Sequence, residues 1–367
     1  MSTQKLLSQY SLGGLTLKNR IVMAPMTRAR AIGNIPNNLM AIYYGQRAGA
    51  GLIITEGVSP SPNGLGYARI PGIFSDPQIE GWAGVTAAVH ERGGHIFVQL
   101  MHTGRITHPA NLPEKGMVLA PSAIAAKGEM WTDKDGMQEL PVPAEMSGEG
   151  LQHTKQEFVQ AAVNAIAAGF DGVELHAANG YLLEQFISPF SNQRTDGYGG
   201  SLENRLRFII ELAGEVSAAI GKEKLGIRFS PYGVFNDMQP YEGIEETYIA
   251  LANALNKTGI AYIHLVDHSS MGAPAVPSSI KEAIRKAFSN TLILSGGYDQ
   301  KRAESDLEQN AADLIAMGRP FINNPDLVNR IAHNYPLSTV VDQESFYIPG
   351  EKGYTDYPAY SPDAVYA

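Results

Sequence analysis

Eight short, nearly continuous apolar runs punctuate the chain, at residues 20–24, 51–56, 95–100, 172–176, 225–230, 262–267, 292–295 and 314–317. Continuous rather than alternating hydrophobicity is what a parallel strand covered on both faces requires. Between the runs, polar and apolar positions change to a helical period, as at 76–91, 155–168, 201–219, 245–256 and 279–287. Strand and helix therefore alternate, and eight alternations are the number that closes a (β/α)8 TIM barrel. An open doubly wound sheet is the rival architecture. Against it, no Gly-x-Gly-x-x-Gly follows the first strand, where such a sheet brings its backbone against a pyrophosphate.

Two regions fall outside the repeat. Residues 101–149, after the third strand, are dense in Pro and Gly, with a turn at 132–136 between extended segments, and are expected to form a lid over the barrel mouth. The tail 338–367 carries Phe346, Tyr347, Tyr354, Tyr357 and Tyr360, so it is expected to pack on the body. Barrels routinely grow past 250 residues as one unit. The 367 residues are accordingly read as a single barrel domain, 1–367, with these two additions.

Composition removes several chemistries. The chain has no cysteine, which excludes disulfides, thiolate zinc sites, cysteine-ligated iron–sulfur clusters and cysteine nucleophiles. With 28 basic against 37 acidic residues and no basic cluster, it lacks the footprint of a nucleic-acid binder. The amino terminus shows no charged-then-apolar signal, and no apolar run approaches the roughly 18 residues of a membrane span, so a cytoplasmic address is expected.

Barrel enzymes build their sites on the loops after the strands. Those positions hold Pro25, Met26 and Thr27; Gly57; Gln99 and Met101; His176, Asn179 and Tyr181; Arg228; Gly296 and Gly297; Gly318 and Arg319. Glycines after strands seven and eight, with Arg319 beside them, are suited to a phosphate. A strand arginine such as Arg228 is costly to bury without an anionic partner, and points to an electron-rich group over the mouth. Acidic groups are few, which argues against a carboxylate metal cage or a glycosidase pair. A metal site built from His176, His264 and His268 is the rival, but the His-x-His that opens zinc barrels is missing from the first strand. No metal is expected, and His264 is read as a hydrogen-bonded core residue.

Taken together, the segments 19–28 (NRIVMAPMTR), 99–105 (QLMHTGR), 176–181 (HAANGY), 191–201 (SNQRTDGYGGS), 318–321 (GRPF) and 350–358 (GEKGYTDYP) resemble the Old Yellow Enzyme family of flavin-dependent ene-reductases. The likeness is greatest to its bacterial N-ethylmaleimide, pentaerythritol tetranitrate and xenobiotic reductase branch. It implies non-covalent FMN across the mouth, its phosphate at Gly296, Gly297, Gly318 and Arg319. The ring would lie near Pro25, Met26, Thr27, Gly57 and Gln99, with Arg228 at its N1/C2 edge. It further implies NAD(P)H as cosubstrate and a ping-pong reduction of activated alkenes, the α,β-unsaturated carbonyl and nitro compounds, extending to nitroesters. His176 and Asn179 would bind the substrate oxygen and Tyr181 would protonate the α carbon. Tyr67, Met101 and Tyr347 would line the substrate pocket.

Relatives usually carry Trp where this chain has Met101, a flexible thioether instead of a flat wall. Lack of cysteine sets the chain apart from the thermophilic-like and dienoyl-CoA reductase-like branches. The partners expected are small molecules, with the chain a monomer or small homo-oligomer. Two alternatives stand beside this reading. A flavin-free phosphate-binding aldolase or isomerase would need a reactive lysine or acidic base at a strand end, and neither is found. A non-catalytic flavin-binding sensor would require neither Tyr181 nor the donor pair.

Overall fold

The computed structural model describes residues 4–340 and 342–362. Residues 1–3 and the last five of the tail lie outside this range. Eight parallel strands form a closed barrel: β1 (Ile21–Met23), β2 (Leu52–Val58), β3 (Ile96–Leu100), β4 (Gly172–Ala177), β5 (Leu225–Phe229), β6 (Tyr262–Val266), β7 (Thr291–Ser295) and β8 (Leu314–Met317). Each strand pairs with the next, and β8 returns to β1. These are the eight runs expected from the sequence, displaced by at most two residues at an end.

Every residue of these strands is buried. Their period of two divides the burial between two cores. Ile21, Ile53, Val98, Leu175, Ile227 and Leu265 pack outward under the helices. Val22, Leu52, Phe97, Tyr262, Ile293 and Leu314 fill the barrel's interior. Size is matched across strands there, since a Cβ on Gly226 would come within 2.4 Å of three atoms of the Tyr262 ring. Leu12 and Leu17 join this interior cluster from an antiparallel hairpin, Tyr10–Leu12 with Leu15–Leu17, which closes the amino end of the barrel. Nearer the carboxyl end the inward positions turn polar, to Gln99, Glu174, His176, Arg228 and His264. That change of polarity fixes which end of the barrel carries chemistry.

The helix expected at 155–168 begins earlier and spans Gly148–Ala167. Gly148 and Gly150 weaken the helical signal, but the Ser147 side chain accepts the Gly150 N–H and starts the helix there. The excursion after β3 contains the hairpin Glu129–Thr132 with Gly136–Glu139, turning at the expected 132–136. Within the tail, Tyr354 is fully buried and stacks on Tyr43 at 4.1 Å, while Tyr360 stacks on Tyr335 at 4.2 Å. Two buried arginines following β1 hold the tail by its carbonyls. Arg30 donates to Ser345 and Lys352 at 2.8 Å, and Arg28 to Gly353 at 2.5 Å. These bonds bring Tyr347, Ile348 and Pro349 to the mouth.

Candidate active site

A cavity of about 740 Å³ opens at the carboxyl end of the barrel. Its wall includes Pro25, Met26, Thr27, Gly57, Tyr67, Gln99, Met101, His176, Asn179, Tyr181, Arg228 and Tyr347, twelve of the residues expected from the sequence. A second cavity of about 570 Å³ lies beside the amino-terminal hairpin, lined by Tyr10, Lys222 and Arg285 among others, and contains none of them.

Register builds the polar floor. His176 on β4 stands opposite Arg228 on β5, and Arg228 opposite His264 on β6, while Glu174 faces Gln99 on β3. Glu174 is fully buried and accepts hydrogen bonds from Gln99 Nε2 at 2.8 Å and His264 Nδ1 at 2.9 Å. Burial pushes its pKa up, but His264 and Arg228 outweigh burial and hold the carboxyl below the usual range, so it is ionised. His264 is driven down by burial and stays neutral, its Nε2 meeting Ser295 Oγ at 3.0 Å. It is thus the core residue expected, tied to Glu174. Among the described residues no group of three His, Asp or Glu side chains comes together as metal ligands.

Arg228 is buried, and its Nε has no hydrogen-bond partner in the protein. Burial lowers its pKa and Glu174 opposes this, but a guanidinium remains charged. His176 Nδ1 is likewise buried without a partner. Burial, reinforced by Arg228, drives its pKa far below the ordinary value, so the imidazole is neutral. A cation and an imidazole left unsatisfied at the mouth fit an electron-rich ligand. A planar flavin whose ring carries carbonyl oxygens is such a ligand, and the residues present suit it.

The Tyr181 hydroxyl shares a hydrogen bond with Tyr67 at 3.0 Å, and the Tyr181 ring meets His176 edge-on at 5.0 Å. Burial raises the Tyr181 pKa, so its proton is present at neutral pH. The turn that carries these groups is braced from below by Glu184. This carboxylate accepts the Gly180 N–H at 2.6 Å, Ser230 Oγ at 2.9 Å and Tyr248 Oη at 2.7 Å.

Burial dominates at Glu184 and pushes its pKa up to about 7. A carboxyl raised on folding binds more protons in the native state, so its contribution to stability is complete below the unfolded value near 4.5 and is lost as pH climbs through 7. Glu184→Gln is therefore expected to flatten the fall in unfolding free energy between pH 5 and 8 by on the order of 3 kcal/mol. Denaturant melts of both proteins at the two pH values check this, and an unchanged slope contradicts it.

Gly296, Gly297, Gly318 and Arg319 do not line this cavity; they stand after β7 and β8 beside it. Gly296 has φ of 123°, and a Cβ there would lie 2.0 Å from the Asp267 carbonyl oxygen. The glycine is thus required by the turn itself. Arg319 is exposed, with Nη2 donating to Ser270 Oγ at 3.2 Å.

Further residues of the wall were not assigned to the pocket from the sequence, where Trp131 reads only as surface or lid packing. Met130, Trp131 and Met137 come from the excursion hairpin, and Ile348 and Pro349 from the tail. Arg69 joins these two covers: it is ion-paired with Asp133 and donates to the Ala29 and Tyr347 carbonyls at 3.3 and 2.9 Å. Glu174 did have a readable signal, since it lies two residues before His176 and a strand points both the same way.

A closed (β/α)8 barrel whose mouth gathers a cation, a neutral imidazole, a carboxamide and a phenol belongs to the barrels that bind small molecules at the carboxyl ends of their strands. Comparison with known proteins assigns it further. Residues 5–338 match the NADH:flavin oxidoreductase / NADH oxidase family. A chanoclavine-I aldehyde reductase of Penicillium roqueforti is 40% identical over 366 residues, 96% of each chain. A probable flavin mononucleotide-dependent alkene reductase of Leishmania infantum is 39% identical, over 97% of this chain and 98% of its own. Morphinone reductase superposes with a TM-score of 0.94 at 41% identity, covering 98% of this chain and 97% of the other, and is also known in complex with tetrahydroNAD.

The chain belongs to this family, the Old Yellow Enzymes, and is an FMN-dependent NAD(P)H oxidoreductase. The flavin-free aldolase or isomerase alternative is thereby overturned. No helix among the described residues is long and apolar enough to cross a membrane.

Proposed function

We propose that this enzyme reduces the activated C=C bond of α,β-unsaturated carbonyl and nitro compounds in a ping-pong cycle with NAD(P)H. The observation that carries this reading is the meeting of His176, Asn179 and Tyr181 in one cavity with Arg228. FMN would be held along Pro25, Met26, Thr27, Gly57, Gln99 and Arg228, with its phosphate at Gly296, Gly297, Gly318 and Arg319. Held there, FMN would supply the hydride-transfer chemistry that links oxidation of NAD(P)H to reduction of the alkene.

The protein's own groups do the rest. His176 and Asn179 donate to the carbonyl or nitro oxygen, drawing electron density from the β carbon and stabilising the developing enolate. Tyr181 supplies the proton to the α carbon. Arg228 offers a fixed positive charge where the ring becomes electron-rich, in a site of low dielectric. Tyr67, Met101 and Tyr347, with the hairpin methionines, make the substrate walls apolar and adaptable. Similarity to an alkene reductase and to a tetrahydroNAD-binding reductase supports the same assignment. One cavity serving both cosubstrate and alkene requires that the first leave before the second enters.

An anaerobic visible spectrum tests this. Addition of NADPH is expected to bleach the flavin band, and 2-cyclohexenone to restore it. A flavin that bleaches and does not return with the enone or with a nitroalkene overturns the proposed substrate class.

A further inference from the structure

Asn179 can assist a substrate oxygen only if its carboxamide presents NH2 to the cavity. The oxygen and nitrogen ends of a carboxamide have nearly the same shape, and a rotation that exchanged them would aim Oδ1 at the substrate oxygen. Something must choose between the two. The backbone of Asn179 is already constrained, with φ of 61° in the left-handed region. Its N–H donates to Ser230 Oγ at 2.8 Å, and its carbonyl accepts from Asn236 Nδ2 at 2.7 Å. Neither bond touches the carboxamide.

One side chain does. His268 Nε2 lies 2.7 Å from Asn179 Oδ1. A carboxamide oxygen has no proton to give, so in this arrangement the ring nitrogen donates and both Nδ2 protons remain for the cavity. His268 comes from the turn after β6 and does not line the cavity; it reaches Asn179 from behind. Its turn is fixed independently, because Asp267 accepts the Ser269 N–H at 3.0 Å and Lys281 Nζ at 2.8 Å. The Phe235 ring packs edge-on against the imidazole at 4.6 Å. Burial holds the His268 pKa down at about 4, so one ring nitrogen carries the only exchangeable proton at neutral pH.

We propose that His268 is a positioning residue for the reaction, donating from Nε2 to Asn179 Oδ1 and so turning the Asn179 amide protons toward the substrate oxygen. This rests on the reading of Asn179 as a donor to that oxygen. His268 is not part of the cavity wall, so it would act through Asn179.

The test measures reoxidation of the reduced holoenzyme by saturating 2-cyclohexenone in stopped flow, with flavin content and melting temperature as controls. His268→Leu keeps the volume and removes the donor, and His268→Ala replaces it should the leucine variant fail to fold. Either is expected to slow the step about tenfold, the worth of one well-placed hydrogen bond. His268→Gln, whose terminal NH2 can occupy the place of Nε2, is expected to stay within about twofold of wild type. In an Asn179→Ala background, removal of His268 should have no further effect.

An unimpaired His268→Leu enzyme alongside a slowed Asn179→Ala enzyme overturns the positioning role and leaves the substrate reading intact. Equal slowing with and without Asn179 also overturns it, since His268 would then act by another route. An Asn179→Ala enzyme that reacts at the wild-type rate refutes the substrate reading itself.

Discussion

Tyr181→Phe is expected to slow the reoxidation of reduced enzyme by 2-cyclohexenone about 10²- to 10⁴-fold, the usual worth of a positioned general acid, while reduction of the flavin by NADPH continues. The substitution deletes one oxygen and keeps the ring that packs against His176 at 5.0 Å, so the cavity keeps its shape. What disappears is the proton. Burial raises the Tyr181 pKa and keeps that proton in place, while the Tyr67 hydroxyl at 3.0 Å can stabilise the phenolate left after transfer.

Enones need a proton on carbon during turnover, because a simple enolate is too basic to be released unprotonated, and Tyr181 is the group proposed to supply it. Nitroalkenes yield a far more stable nitronate that can leave and be protonated in water, so their reduction should be nearly spared. Stopped-flow traces of both half-reactions with both substrates decide the matter. Equal slowing of enone and nitroalkene, or loss of flavin reduction, would remove Tyr181 from its proposed role.

The barrel and its strand-end chemistry were legible in the sequence for a common reason. Parallel strands buried on both faces must be apolar throughout, so polar residues stand out where they end, as at His176 and Arg228. The covers were less legible because nothing in their local pattern says what they face. Met130 and Met137 read as ordinary hairpin residues, and Arg69 as a loop arginine, until the fold brings hairpin and tail over one cavity. Positional support was also invisible. Nothing in the sequence marks Glu184, yet its carboxylate braces a turn through Gly180, four residues back, and through Ser230 and Tyr248, which lie 46 and 64 residues on. His268 was readable as a candidate ligand, but its partner Asn179 lies 89 residues away.

Arg228→Met tests the charge balance at the centre of the site. In the native protein Glu174 is fully buried and ionised, kept so against burial by His264 and Arg228. Removing the guanidinium, which acts on Glu174 through its charge without a direct hydrogen bond, leaves a buried carboxylate facing only neutral donors, and an uncompensated buried charge costs up to about 3–5 kcal/mol. The lower end is expected here, since Gln99 and His264 still donate. The loss should depend on pH. A carboxyl whose pKa is depressed on folding adds stability above its unfolded value near 4.5, and that stability is lost as pH falls through the folded value. Without Arg228 the depression shrinks, so the variant should lag wild type fully above about pH 5 and approach it as pH falls below 4.5.

Flavin binding weakens for a separate reason: a charged hydrogen bond is worth roughly 1.5–3 kcal/mol, about ten- to a hundredfold in affinity. The two effects part in the double variant Arg228→Met, Glu174→Gln. There His264 can switch tautomer, accept from the new amide at Nδ1 and donate to Ser295 from Nε2. Stability should recover in the double variant, while FMN affinity, measured by flavin fluorescence on titration, stays low. Recovery of FMN affinity together with stability would mean that Arg228 serves Glu174 alone and has no direct part in holding the flavin.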